Sequence, residues 1–346
     1  MRKYDYGFLK GEVPGRLIPQ IEDVAVLRTK EEYYKKTNAG TFSSLREKVV
    51  FQSVCSSNAI DGIGATDARI EGLIEGDRPT SRDEKMIVGY KDALNLVNIQ
   101  HEKLKFNQEL IRNLHKMIFS EASPQEAGTY KTEDVYLFGM GEDDSNRVRL
   151  NPVSAEDIPV ALEQMIRAYN VAIADEEVPK LLLIPCVVLD FLCIQPFAEG
   201  NERISRLLMN FLMLKNGYDA GSYISLEKLT EKRKDDYYSA LEKSSDNWAD
   251  RENNYIPFAE FMLQIAVRGY HELDDHFVEV SRKKASKQER IEAILMNTYV
   301  PVSKSEIMER LPDVSVRTVE VTLKRLLDED KITKVGSFRD ARYKKK

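Results

Sequence analysis

Residues 178–194, VPKLLLIPCVVLDFLCI, are apolar on almost every side and cannot form the outer face of a domain. A helix of this kind must be surrounded by other helices, so the stretch predicts the centre of a helical bundle. The flanking sequence agrees. Residues 45–62 repeat apolar side chains at three- and four-residue intervals and stop at Asp61-Gly62. A Ser81 cap opens the next periodic run, and FNQELIRNLHKMIFS, DIPVALEQMIRAYNVAIAD and ERISRLLMNFLMLKNGY read as further helices. Only residues 128–152 change period. TYKTEDVYLFGMGEDDSNRVRLNP alternates around a Gly/Asp/Ser turn and predicts a short β-hairpin.

At 346 residues the chain exceeds what one core usually supports and predicts two to three units. Apolar residues at 42% and charged residues at 31% exclude a disordered or fibrous chain. No apolar run is long enough to cross a bilayer and no leader pattern opens the sequence, so a cytoplasmic protein without a membrane partner is expected. Cys55, Cys186 and Cys193 lie within apolar patterns and read as buried hydrophobes rather than disulfide or zinc ligands. His101, His115, His271 and His276 form no metal or triad motif.

The net charge of −6 divides unevenly. Residues 281–346 carry 17 basic and 10 acidic side chains, a balance of +7 that leaves −13 for the rest. From residue 287 three short helical patterns, with Ser303 and Ser315 as caps, precede two basic strand-like runs around Gly336-Ser337. Three helices and a β-ribbon predict a winged helix. Arg317, Lys324 and Arg325 on its third helix, with Lys334, Arg339 and Arg342 on the wing, are the candidate phosphate contacts for DNA, diluted by Glu320, Asp328 and Glu329. Winged helices also bind proteins.

One segment concentrates the chemistry. In CIQPFAEGNERISRLL, residues 193–208, Pro196 ends the apolar helix and Gly200 allows a turn whose N–H groups can converge on an anion. A new helix then starts with its dipole aimed at the same place. Asn201 adds an amide, and Arg203 and Arg206, three residues apart, can hold a polyphosphate bidentately. Glu199 offers a hard oxygen for Mg²⁺. Phe197 reads as a core anchor for the loop. The alternative reading places both arginines in internal salt bridges and makes Gly200 a simple turn.

QPFAEGNERISR resembles the Fic-family loop HPFx[D/E]GN[G/K]RxxR, matching at Pro196, Phe197, Glu199, Gly200, Asn201, Arg203 and Arg206. SSNAIDG resembles the family's inhibitory-helix motif [S/T]xxxE[G/N], with Ser57 and Asp61 in the key places. The runs around 130–153 and 223–248 resemble the flap and the segment after the core. The resemblance implies a mainly helical, all-α Fic core with a short β-hairpin flap, plus a small C-terminal winged-helix domain. It divides the chain into an N-terminal helical region with the inhibitory-like helix (1–100), a Fic core (101–280) and a winged helix (286–346). It also implies ATP with Mg²⁺, transfer of AMP to a Ser, Thr or Tyr hydroxyl of a target protein, and a homo-oligomer among the admissible partners. Glu199 would then hold the metal and Gly200, Asn201, Arg203 and Arg206 the nucleotide. Tyr237 and Tyr238 either approach the adenine or pack in the core.

Three departures from the pattern bear on activity. Gln195 stands where the family has the histidine that takes the hydroxyl proton, and an amide does not titrate in the working range. Loss of a general base costs about 10²–10⁴ in rate. His115 or His271 could approach in space. Glu202 replaces the usual Gly or Lys; it repels phosphate, sits harmlessly at a helix start, or accepts the proton in the histidine's stead. Asp61 replaces the inhibitory glutamate and is one methylene shorter, which predicts a looser or water-bridged pair with Arg206. The sequence therefore admits a nucleotide-binding protein with impaired transfer, an active transferase using another base, or a DNA-binding regulator.

Overall fold

Helix starts are fixed by local caps. Thr66, Ser81, Asn107, Ser225, Ser303 and Ser315 each accept a hydrogen bond from the backbone N–H three residues ahead. Each cap satisfies one of the orphan donors of a first helical turn. The structure is a computed structural model that describes every residue except 1, 12, 38, 135–136, 141–145, 151, 285, 297–300 and 337–340. It is mostly helical, with short strands, and divides into two compact units, Met1–Asp274 and Asp275–Lys346.

In the first unit α1 (Ile18–Thr37), α2 (Ala39–Ile60), α3 (Asp67–Glu75), α4 (Arg82–Gln100) and α5 (Gln108–Phe119) precede two strands. These strands, β1 (Leu137–Met140) and β2 (Asn146–Leu150), pair antiparallel, with Leu137 opposite Leu150 and an irregularity after Leu137. The turn of the expected hairpin lies outside the described residues. Next come α6 (Ile158–Ile173), α7 (Lys180–Ile194), α8 (Asn201–Lys215), α9 (Leu226–Glu231) and α10 (Lys234–Ser245). The long α11 (Ile256–Lys284) follows.

Every residue of α7 from Leu181 to Ile194 is buried. It packs between α6 and α8, while α4 lies on α5 and α8, and α2 on α4 and α9. Tyr4, Leu17 and Val54 belong to the same core as Phe191 and Tyr270, so residues 1–100 share one interior with the rest of the first unit. Among the described residues no helix is long and apolar enough to cross a membrane. Cys186 and Cys193 are buried free thiols, and Cys55 is a partly buried one.

The second unit has its own core around Ile291, Ile307, Leu323, Leu326 and Tyr343. After α11 it contains α12 (Lys287–Met296), β3 (Val302–Ser303), α13 (Lys304–Arg310), α14 (Val316–Asp328), β4 (Ile332–Val335) and β5 (Arg342–Lys345). The strands form an antiparallel sheet in the order β3-β5-β4. Ser303 and Glu306 make a reciprocal capping box on α13.

One charge breaks the apolar run of α7, and the fold is arranged around it. Asp190 is completely buried and accepts hydrogen bonds from Tyr6 Oη (2.7 Å), Trp248 Nε1 (2.7 Å) and Tyr255 Oη (2.8 Å). Arg2 lies 3.9 Å away, stacked 4.6 Å from the Trp248 ring centre. A single carboxylate thus fastens the N-terminal segment and the turn after α10 to the central helix. Removing it leaves three donors without this acceptor and takes away the carboxylate beside Arg2. Asp190→Ala should lose about 3–5 kcal/mol of stability. Denaturant unfolding followed by fluorescence of Trp248, the single tryptophan, measures this; a loss below about 1 kcal/mol would show that the network is not structural.

Candidate functional site

The loop between α7 and α8 is shaped by two left-handed residues. Gln195 closes α7 at φ 50°, ψ 63°, and Gly200 opens α8 at φ 80°. Gly200 has a second reason to lack a side chain: a Cβ there would stand 2.5 Å from Phe119 Cε2. Asn201, 2% exposed, braces the turn from inside. Its Oδ1 accepts from Phe197 N–H (3.0 Å), and its Nδ2 donates to Phe197 O (2.8 Å) and to Gln195 Oε1 (2.7 Å). Asn201 was expected to face the nucleotide; in this conformation its amide is spent on holding the loop's own backbone.

His115 comes close to the loop, but as a support. Its ring stacks on Phe197 (centroids 3.9 Å apart) and Phe119 (4.4 Å). Nδ1 accepts from Gly128 N–H at 2.9 Å, which assigns the proton to Nε2, 3.3 Å from the Glu199 carbonyl. Burial pushes its pKa down to about 4, against a smaller upward pull from that carbonyl. With its one in-plane lone pair taken by the Gly128 N–H, His115 is no substitute base. His271 is taken by Asp23 of α1 at 2.5 Å. Phe197 is the buried anchor that its sequence position suggests.

The two arginines of the first turns of α8 are both engaged by one carboxylate. Asp61 Oδ2 accepts from Arg203 Nε and from Arg206 Nη2, each at 2.7 Å. Arg206 also donates to Ser57 Oγ (2.9 Å) and to the Ser57 carbonyl (3.1 Å). Burial works against the charge on Arg206, but Asp61, Tyr90 and Tyr237 together outweigh it and hold the guanidinium above its ordinary pKa. The expectation of a loose or water-bridged aspartate is corrected: α2 brings Asp61 close enough that the shorter side chain reaches both arginines directly. One Nη1 on each arginine has no partner among the described residues.

Asp61, immediately after α2, continues a polar stripe on that helix. One turn earlier is Ser57, and one turn before that Ser53, whose Oγ lies 2.8 Å from Glu227 Oε2 and 2.9 Å from Ser225 Oγ. Tyr90 of α4 donates to the other Glu227 oxygen at 3.3 Å. Sequence reading found Ser57 and Asp61 but missed Ser53, whose only signal was the four-residue spacing to Ser57, and Glu227, which carried none.

The remaining candidates divide. Glu199 is bonded to Arg82, which also reaches Ser123 Oγ at 3.0 Å. Among the described residues no three His, Cys, Asp or Glu side chains gather to hold a metal ion. A single loop carboxylate suits Mg²⁺, which takes one or two carboxylates and fills its shell with water and phosphate. Glu202 is half-buried and its charge helps to raise the Tyr237 and Tyr238 phenols, after burial and, for Tyr238, after Asp61. Tyr237 is buried against Phe258 and Phe261, a core residue, whereas Tyr238 is 40% exposed.

In the second unit the candidate basic residues also separate. Arg325 is bound by Glu292 of α12 at 2.6 Å. Arg342 is paired with Glu306 at 3.1 Å. Arg317, Lys324 and Lys334 are exposed, and Arg339 lies outside the described residues. Glu320, expected to dilute this surface, is itself paired with Lys304 at 2.8 Å.

Residues 105–213 match the model of the Fic/DOC family. A protein adenylyltransferase Fic from Nematostella vectensis is 28% identical over 182 residues, covering 50% of this chain and 39% of that protein. Protein adenylyltransferase fic-1 from Caenorhabditis elegans is 23% identical over 201 residues, covering 55% and 36%. The matches thus span well under half the length of these curated relatives. Among solved structures, a Fic family protein from Desulfovibrio desulfuricans G20 shares the fold with a TM-score of 0.62 and 18% identity, over 96% of this chain and 97% of that one. Fic-1 from C. elegans (aa134 - 508) gives a TM-score of 0.58 at 19% identity, over 77% and 73%.

The loop's dependence on His115 is testable through pH. Its folded pKa of about 4 lies below the ordinary value of about 6.5, so the unfolded chain binds the proton more readily. Its contribution is complete above about pH 6.5 and is lost as pH falls toward 4, about 3 kcal/mol in total. Comparing denaturant unfolding at pH 7 and pH 5 should show a steeper loss in the parent than in His115→Phe. Equal slopes would mean that the ring is protonated in the folded state.

Proposed function

With a Fic/DOC family domain at residues 105–213, we propose that this protein binds ATP with Mg²⁺ in the loop between α7 and α8 and is related in activity to enzymes that transfer AMP to protein hydroxyls, but is held inactive in two ways. The observation that carries this reading is the one carboxylate shared by Arg203 and Arg206. Two guanidiniums beside a helix N-terminus are suited to a polyphosphate, and Asp61 now occupies the place such a ligand's oxygens would take. The second restraint is chemical. Gln195 presents an amide whose oxygen already accepts from Asn201, so the position of the family's histidine holds no group able to take a proton from an attacking hydroxyl.

The residues have separable roles. Arg203 and Arg206 would hold phosphate oxygens once Asp61 withdraws. Asn201 and Gly200 keep the turn in shape. Glu199 would hold Mg²⁺ after exchanging its bond to Arg82, and the ion would supply charge neutralisation on the phosphates. The hairpin of β1 and β2 would align an extended segment of the target protein, a mode that uses backbone hydrogen bonding along a strand edge. Glu202 sits in the first turn of α8, where the dipole favours an acid.

The second unit, with three helices and the sheet β3-β5-β4, reads as a winged helix. A DNA-binding regulator is the alternative reading of the whole chain. It is supported by exposed Arg317 and Lys324 and weakened by the ion pairs that consume Arg325 and Arg342.

Transfer of label from α-labelled ATP to protein separates the readings. The parent chain should label nothing above background. Asp61→Gly should raise ATP affinity at least tenfold with little transfer, and Asp61→Gly combined with Gln195→His should gain about 10²–10⁴ in rate over Asp61→Gly alone. Transfer by the unmodified chain would overturn the inactive reading. An unchanged ATP affinity in Arg203→Ala, made in the Asp61→Gly background, would show that the phosphate seat is wrongly placed.

A further inference from the structure

Lys131 lies on the segment that leads from Gly128 to β1. Its backbone N–H donates to the Pro196 carbonyl at 2.9 Å, which fastens this segment to the loop immediately after Gln195. Its side chain runs inward: the residue is 6% exposed, and its ammonium has no hydrogen-bond partner among the described residues. Burial draws its pKa below the ordinary lysine value, opposed in part by the charge of Asp134.

A cavity of about 210 Å³ opens beside it, lined by Lys131 together with Thr129, Thr132, His115, Glu126 and Glu199, among others. The charges facing this space can be accounted for one by one. Glu199 is already bonded to Arg82, and His115 is held neutral. Glu126 is exposed. Asp134 bonds the Ala155 N–H at 2.8 Å and only pulls on Lys131 through space. Among the described residues, one cation lining the cavity therefore remains without a hydrogen-bonded anion. A buried charge without a partner is costly, and the cost is relieved when an anion arrives.

We propose that Lys131 and this cavity form a binding site for a single oxyanion, either a carboxylate or a phosphoryl group, separate from the seat formed by Arg203 and Arg206. The hydroxyls of Thr129 and Thr132 are donors of the kind that complete an oxyanion's shell. Neither Arg203 nor Arg206 lines the cavity. The site needs only the cavity and the ammonium, so it stands whether or not the chain transfers AMP. Two sources have this chemistry: free or nucleotide phosphate, and an acidic side chain of a segment laid along the neighbouring strands.

Thermal unfolding of the full chain in increasing acetate or inorganic phosphate, with ionic strength held constant by chloride, tests the proposal. The parent should show a saturable rise in Tm with at least one of the two anions. Lys131→Met should weaken that response at least tenfold while leaving the anion-free protein as stable as the parent or more so, and Lys131→Arg should restore the response. Saturation by phosphate alone assigns the site to phosphoryl groups. Saturation by acetate, reproduced by a tripeptide containing Asp but not by its Asn counterpart, assigns it to an acidic side chain. Any phosphate response that survives intact in Lys131→Met belongs to the arginine seat and overturns the proposal, as does the absence of a saturable response in the parent. Should Lys131→Met fail to fold, Lys131→Gln carries the same comparison.

Discussion

One oxygen of Asp61, 2.7 Å from each of two buried guanidiniums, determines what the loop between α7 and α8 can do. Without an acceptor, Arg203 and Arg206 would be two adjacent positive charges withdrawn from water, at a cost of several kcal/mol. The site is therefore never neutral toward oxygen ligands: it is satisfied either by its own helix or by something negative from outside. Because α2 supplies the internal answer, its placement governs the site. That helix is held by a run of polar contacts, Ser53 to Glu227 and Ser57 to Arg206 as well as Asp61, rather than by apolar packing alone. Polar contacts have alternative partners in water and ligands, which makes such a docking reversible in principle.

The loop itself is rigid by construction. Its bend rests on Gly200, pressed against Phe119, and on Asn201, which bonds both the N–H and the carbonyl of Phe197. His115, stacked against Phe197 and Phe119, fills the space beneath and carries no charge at neutral pH. Preorganised backbone of this sort is what phosphate recognition needs, because donors already in place cost nothing to arrange when the ligand binds. The same rigidity fixes Gln195 in a left-handed conformation with its side-chain oxygen directed to Asn201. The amide is thus integrated into the loop as a structural member.

Two buried charges near α7 show opposite outcomes of the same electrostatics. Asp190 is surrounded by phenol, indole and guanidinium donors and ties distant parts of the chain to the central helix. Lys131 is nearly as deep and has no such shell among the described residues. Complete satisfaction makes the first a structural element, whereas incomplete satisfaction leaves the second available to a ligand.

Much of this was legible from residue order because it depends on local rules. The apolar character of 178–194 required a central helix, Ser81 and Ser303 marked helix starts, Gly200 marked a turn, and the spacing of Arg203 and Arg206 put both on one side of α8. The resemblance to Fic proteins identified Ser57 and Asp61 as partners of that loop. What residue order could not give were meetings between segments far apart in the chain. The reach of Asp61 to both arginines depends on where α2 docks, so counting methylenes misjudged it. The pairing of Arg325 with Glu292 depends on how α12 lies against α14. Asp190 stood in an apolar run with its partners 184 and 58 residues away. Periodicity reports which face of one helix is buried, whereas the partner a buried charge finds is set by the packing of several elements at once, and only the tertiary structure decides that.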